Sequence, residues 1–183
     1  MPIFLIIALN LSTKVKSMKN KILATLLLLC SISYAKDNKI YYLKLHAEID
    51  KAAARLIHKG IEEAEKQKAT FFVLDLNTFG GLLDAADEIR STLLNTKLKT
   101  VVWINNNAAS AGALISIACD SIFMIEGANI GAATVVNQSG EKAPDKYQSY
   151  MRSLMRSTAE TNGRNPKIAE AMVDEDVQVP GIK

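Results

Sequence analysis

The chain of 183 residues contains only two histidines, His46 and His58, and two cysteines, Cys30 and Cys119. These residues offer no set spaced as metal ligands, so neither a metal nor another cofactor is expected. No histidine follows position 58, which leaves any nucleophile in the second half without a downstream histidine base. Aromatic residues reach only 6%, and there are four prolines and nine glycines, too few for a collagen-like or low-complexity chain. Acidic residues are missing altogether from the first 35 positions, which hold Lys14, Lys16, Lys19 and Lys21. The net charge of +3 comes from that stretch, because the remainder carries 18 basic and 19 acidic side chains. Without a basic stripe, nucleic acid is excluded as a partner. No apolar run is long enough to span a bilayer. What is present, 49% hydrophobic and 22% charged residues, describes one globular domain with a packed core.

From Met18 the sequence reads Met-Lys-Asn-Lys, an apolar run from Ile22 to Cys30, then Ser33-Tyr34-Ala35. A charged start, a short apolar core and small residues at 33 and 35 predict a secretory signal peptide over 1–35. Residues 1–17 then precede the true start codon, and the mature domain spans 36–183. Export places that domain at the periplasmic face of the membrane. Acylation at Cys30 is disfavoured by the bulky Leu29 before it. Cys119 then remains the sole cysteine, in an apolar stretch that predicts a small buried hydrophobe rather than a reactive thiol.

Strands are predicted over Ile40–Leu45, Phe71–Leu76, Thr100–Ile104 and Ser121–Ile125. The near-continuous apolar runs at 71–76 and 100–104 predict strands covered on both faces. Helical spacing relates Ala53, Ile57, Ile61 and Ala64, then Leu82, Ala86, Ile89 and Leu93, and then Tyr147, Tyr150, Met151 and Leu154 before Gly163. A short buried helix is expected over Ser110–Cys119. The alternation predicts an α/β fold, mostly a parallel sheet with helices packed on it. The chain stops at Val179-Pro180-Gly181-Ile182-Lys183 with no closing element, which reads as the N-terminal part of a longer polypeptide.

Open parallel sheets place their sites at the carboxyl ends of strands. Three segments there carry chemistry. Gly80-Gly81 after the second strand is either a tight turn or a source of backbone N–H donors for an oxyanion. Ser110 after the third strand is either a helix N-cap or a nucleophile set among small residues. Lys146 follows Pro144-Asp145 at a helix start, where the positive end of the helix dipole disfavours an ammonium; it is either a general base, partly buried beside Tyr147 and Tyr150, or a solvated lysine.

Together, Asp75-Leu76-Asn77-Thr78-Phe79-Gly80-Gly81, Ala109-Ser110-Ala111-Gly112-Ala113, Asn129-Ile130-Gly131-Ala132-Ala133, Ala143-Pro144-Asp145-Lys146 and Gly163-Arg164-Asn165 resemble the N-terminal protease domain of NfeD proteins. These are membrane-bound serine proteases of the ClpP class, related to signal peptide peptidase A. The resemblance runs from about Ile40 to Val179 and implies a ClpP/crotonase-like fold. It further implies Ser110 as nucleophile, Lys146 as general base of a Ser-Lys dyad, Gly81 with the Ala111 N–H as oxyanion hole, and Gly80 as the residue shaping the turn. The implied substrates are hydrophobic segments of membrane proteins, stomatin-like proteins among them. A homodimer or larger homo-oligomer and a membrane anchor in the full-length protein are implied as well. Two departures stand out: Asn77-Thr78-Phe79 replaces the family's Asp-Thr-Pro, and Ile125-Glu126-Gly127 replaces Ala-Pro-Gly. Two other readings compete. A crotonase-type hydratase needs a carboxylate pair that neither strand-end loop offers, and a non-catalytic scaffold for stomatin-like partners has no use for both Ser110 and Lys146.

Overall fold

The computed structural model describes residues 38–137 and 139–181, so the expected signal peptide and Cys30 lie outside the described residues. Strand β1 (Ile40–His46) pairs in parallel with β2 (Phe71–Thr78), which pairs in parallel with β3 (Lys99–Ala109). The first half of β3 also pairs with β4 (Ser121–Met124), and its last residues pair with β5 (Asn129–Gly131), both in parallel. Among the described residues every strand pairing in this sheet is therefore parallel, where the sequence predicts a mostly parallel sheet. Between the strands run α1 (Lys51–Lys66), α2 (Leu83–Asn95) and α3 (Ala111–Ala118); α4 (Asp145–Thr161) and α5 (Pro166–Ala171) follow β5.

Local signals account for each helix. Asp50 caps α1 by accepting the Ala53 N–H at 2.8 Å, and the expected stripe Ala53, Ile57, Ile61 and Ala64 is buried. In α2 the buried stripe is Ala86, Ile89 and Leu93, while Leu82 stands just outside the helix and is exposed. Helix α3 is buried along its whole length, which its uninterrupted small and apolar composition permits. The buried face of α4 differs from expectation: Met151, Leu154 and Met155 point inward together with Gln148, whereas Tyr147 and Tyr150 are exposed. Each fully buried Leu, Ile or Met of this core contributes about 1.5–3 kcal/mol. Helix α5 was not anticipated; Asn165 caps it and Pro166 begins it, both ordinary start signals.

The sheet corrects the expectation of two covered faces. Phe72, Leu74, Leu76, Val102 and Ile104 are buried, but the alternate row on the other face leaves Ile40, Tyr42, Trp103 and Phe123 exposed. Strand β3 is also longer than expected, because Asn105–Asn107 continue it through an irregular register between Leu76 and Thr78 of β2. Asparagine is poor in strands, yet here its side chains supply the missing bonds. Asn77 Oδ1 accepts the Asn107 N–H at 3.2 Å, and Asn105 donates to Asp75 at 2.8 Å. The irregularity carries β3 across from β4 to β5 and delivers Ser110 at its end.

Among the described residues, no helix is long and apolar enough to cross a membrane.

Candidate active site

Ser110 sits between β3 and α3 with φ 55° and ψ −116°, a conformation that costs a non-glycine residue roughly 1–3 kcal/mol. Its side chain makes no capping hydrogen bond, so the N-cap reading is not realised. The strained turn is held from both sides. The Ser110 N–H donates to the Gly131 carbonyl at 2.8 Å, and the Ser110 carbonyl accepts from the Ala113 N–H at 2.9 Å. This is the strand-to-helix geometry that presents a serine hydroxyl at the end of a sheet.

The glycine turn lies directly against it. A Cβ on Gly80, whose φ is +117°, would meet the Ser110 Cβ at 2.7 Å, and one on Gly81, whose φ is +154°, would collide with the Ile49 carbonyl oxygen. The turn is locked by a parallel bridge in which Ile49 N–H donates to the Gly80 carbonyl and Leu82 N–H to the Ile49 carbonyl. That pattern skips the Gly81 N–H. Among the described residues neither it nor the Ala111 N–H, an unpaired first-turn donor of α3, is committed to a partner. Gly80→Ala should therefore push the turn off Ser110, with a loss of stability detectable by thermal melting; a wild-type melting temperature would show that the contact is not needed.

Thr78 joins the two halves and is a residue the sequence reading missed. Its hydroxyl accepts the Gly80 N–H at 3.1 Å, and its methyl lies where a Cβ on Gly112 would come within 2.6 Å. The Gly163-Arg164-Asn165 segment also gains a role. Arg164 donates to the Ile117 and Asp120 carbonyls at 3.0 and 3.1 Å, and Asn162 to Ile117 at 2.9 Å, so the Ile117 carbonyl in the last turn of the serine helix is satisfied.

Lys146 stands in the first turn of α4 and is exposed rather than partly buried. Its Nζ rests 4.9 Å from the centre of the Tyr147 ring, and among the described residues it makes no hydrogen bond to Ser110. Beside it runs a mainly apolar groove of about 640 Å³, between Leu83, Asp84 and Asp87 of α2, Val135, Val136, Asn137 and Ala143 of a hairpin, and Pro144, Tyr147 and Tyr150 at the α4 side. Its acidic edge is already engaged. Lys51 bonds Asp84 at 3.0 Å and holds its carboxyl below the usual range, while Asp87 accepts from Tyr150 at 3.0 Å and raises that phenol. A second cavity of about 510 Å³ is lined by the turn itself, Gly80 and Gly81, together with His46, Glu48, Asn77 and Phe79, the last 83% exposed.

Sequence reasoning also missed the cluster behind that second cavity. Asp75 is buried on the open sheet face, where Tyr42 and His46 bond to it and Asn105 donates. Burial alone would raise its pKa, but the hydrogen bonds from His46 and Tyr42 outweigh it and hold the carboxyl below its ordinary value. A carboxylate depressed in the folded state stabilises fully above the unfolded value of about 3.9 and ceases to do so as pH falls through the folded one. Melting temperature should drop as pH falls below about 4 more steeply in wild type than in Asp75→Asn; parallel curves would remove Asp75 from the acid response. Cys119 is fully buried as expected, with its thiol pushed up to about 12 by desolvation.

Residues 39–183 match the model of the NfeD1b N-terminal domain. Membrane protein NfeD1b of Bacillus subtilis is 31% identical over 148 residues, and membrane-bound protease PH1510 of Pyrococcus horikoshii is 29% identical over 162. Those alignments cover 81% and 84% of the chain but only 34% and 36% of the relatives, so the chain spans about a third of their length. Among solved structures, a lysine-to-alanine mutant of the 1510-N membrane-bound stomatin-specific protease, in complex with a substrate peptide, aligns at TM-score 0.72 and 28% identity, covering 77% of this chain and 68% of that one. A serine-to-alanine mutant of the same protease aligns at 0.70 and 28%, covering 76% and 71%. ClpP1 of Listeria monocytogenes aligns at 0.60 with 19% identity, covering 73% and 79%, and shares the fold. The fold is thus ClpP-like, the relatives include proteases, and the chain belongs to the NfeD1b N-terminal domain family.

Proposed function

We propose that the chain is the proteolytic part of a serine endopeptidase in which Ser110 is the nucleophile, Lys146 the general base and the N–H groups of Gly81 and Ala111 the oxyanion donors. The carrying observation is the strained, uncapped Ser110, packed against a glycine turn whose Gly81 N–H is uncommitted. The Lys146 side chain turns from the Tyr147 ring toward Ser110 and takes its proton as Oγ attacks the scissile carbonyl. The oxyanion is held by the two backbone donors, the Lys146 ammonium returns the proton to the leaving amine, and water then frees the acyl-enzyme.

The apolar groove favours hydrophobic peptide segments, and the similar protease described as stomatin-specific makes a stomatin-like membrane protein the proposed partner. Within 1–35 the segment from Met18 acts as the export signal, residues 36–183 form the protease domain, and action is at the periplasmic face of the membrane as a homodimer or larger assembly. One observation favours a non-cutting scaffold: the Lys146 ammonium lies on Tyr147 instead of bonding to Ser110. A fluorophosphonate probe applied to the full chain separates the two. Labelling of wild type and none of Ser110→Ala is expected; equal labelling of both, or of neither, would favour the scaffold.

A further inference from the structure

Gln148 is 1% exposed on a helix whose other inward residues are mainly apolar. Burying an amide there is costly unless every polar atom finds a partner. Gln148 finds three. Its Oε1 accepts the Val135 N–H at 3.0 Å, and its Nε2 donates to the carbonyls of Val135 at 2.7 Å and Ala143 at 3.1 Å.

Val135 and Ala143 are the two feet of a hairpin. The Ala143 N–H donates to the Val135 carbonyl at 2.9 Å, Val136 bridges Lys142 in antiparallel fashion, and the Asn137 N–H donates to the Glu141 carbonyl at 2.9 Å. The Asn137 side-chain Oδ1 accepts the N–H groups of Ser139 and Glu141, both at 3.0 Å, and so closes the tip. This hairpin is one wall of the apolar groove and leads through Pro144 into the turn that carries Lys146. A two-stranded ribbon is marginal by itself. Among the described residues, Gln148 is the side chain that ties both of its feet to the body of the domain.

We propose that Gln148 is a positioning residue that latches the hairpin segments 135–137 and 139–143 as the wall of the peptide groove, and so sets affinity for an extended apolar segment without touching the reacting atoms. The inference rests on the reading of that groove as the substrate site. An apolar segment laid against Val135 and Val136 needs that wall in place. Unlatched, the wall must be ordered on binding, which weakens affinity while a bound peptide still meets the same serine.

The test is Gln148→Met, which keeps length and volume but makes none of the three bonds. A fluorescein-labelled peptide with a central Leu-Val-Val-Leu run, flanked by serines, is bound to full chain already carrying Ser110→Ala, so that nothing is cut. Kd should rise about tenfold on adding Gln148→Met. In the background with Ser110 intact, KM for the unlabelled peptide should rise by a similar factor while kcat changes less than about twofold. Trypsin should cut after Lys142 at least tenfold faster in the variant. Unchanged Kd together with an unchanged Lys142 cutting rate would overturn the latch, as would a fall in kcat with KM unaltered. Should Gln148→Met not fold, Asn137→Ala opens the exposed tip alone; it should raise Kd severalfold, and no rise would also overturn the proposal. A wild type that binds the peptide but never cuts it defeats the protease reading and leaves the Kd and trypsin readouts decisive for the latch.

Discussion

Ser110→Ala should reduce peptide cleavage by about 10⁶-fold, the scale of losing a serine nucleophile, while changing folding free energy by no more than about 0.5 kcal/mol. Both halves follow from the local geometry. The hydroxyl makes no capping bond, so its removal orphans no N–H of α3. Alanine keeps the Cβ already packed against Gly80 and bears the same backbone strain at φ 55°. Glycine is the informative contrast. Ser110→Gly should be equally inactive yet more stable by roughly 1 kcal/mol, since the relief of a positive φ exceeds the extra chain entropy of glycine. Urea melts beside a peptide-cleavage assay read both quantities. A residue selected for packing would not be stabilised by its own deletion, whereas one held in strain for chemistry would be. Cleavage by Ser110→Ala at the wild-type rate would take Ser110 out of the mechanism.

How much of this site could be read from the sequence depended on whether the signal was local. The turn at Gly80-Gly81 and the small residues around Ser110 are short-range features, and the parallel sheet followed from apolar runs at 71–76 and 100–104 alternating with helical spacing. The same runs misled about burial, because Phe71, Val73 and Val101 are apolar enough to be covered but lie on the open row beside Trp103. The asparagines at 105–107 read as loop because asparagine resists strands, and distant partners, Asp75 and Asn77 in β2 and Asn129 in β5, make them part of β3. Tyr147 and Tyr150 read as core because they share helical spacing with Met151. The competing stripe through Gln148 was invisible, since its three partners lie in a hairpin that no pattern in 135–143 announces. Thr78 was missed for a similar reason: its value lies in touching Gly112 across the sheet end.

Lys146→Arg should be as inactive as Lys146→Ala, each falling by about 10²–10⁴-fold, the usual worth of a positioned general base. The comparison is sharp because the two substitutions differ in everything but the ability to lose a proton. Arginine keeps the positive charge, the long stem and the capacity to lie on the Tyr147 ring, an exposed contact worth about 0.5–1 kcal/mol. Its guanidinium stays protonated at every accessible pH, so it cannot accept the Ser110 proton. If Lys146 serves only through charge or through its tyrosine contact, arginine preserves activity and alanine does not. Lys146→Cys alkylated with bromoethylamine adds the converse test by restoring a primary amine of nearly lysine length. The other cysteine within the described residues, Cys119, is fully buried with its thiol pushed up to about 12, and it should stay unmodified. Recovery of cleavage in the alkylated protein is expected, and coupling with Ser110→Ala should be strongly non-additive, since two residues acting as one unit are lost together. Substantial proteolysis by the arginine variant would end the Ser-Lys assignment and move the search for a base to another side chain within reach of Ser110.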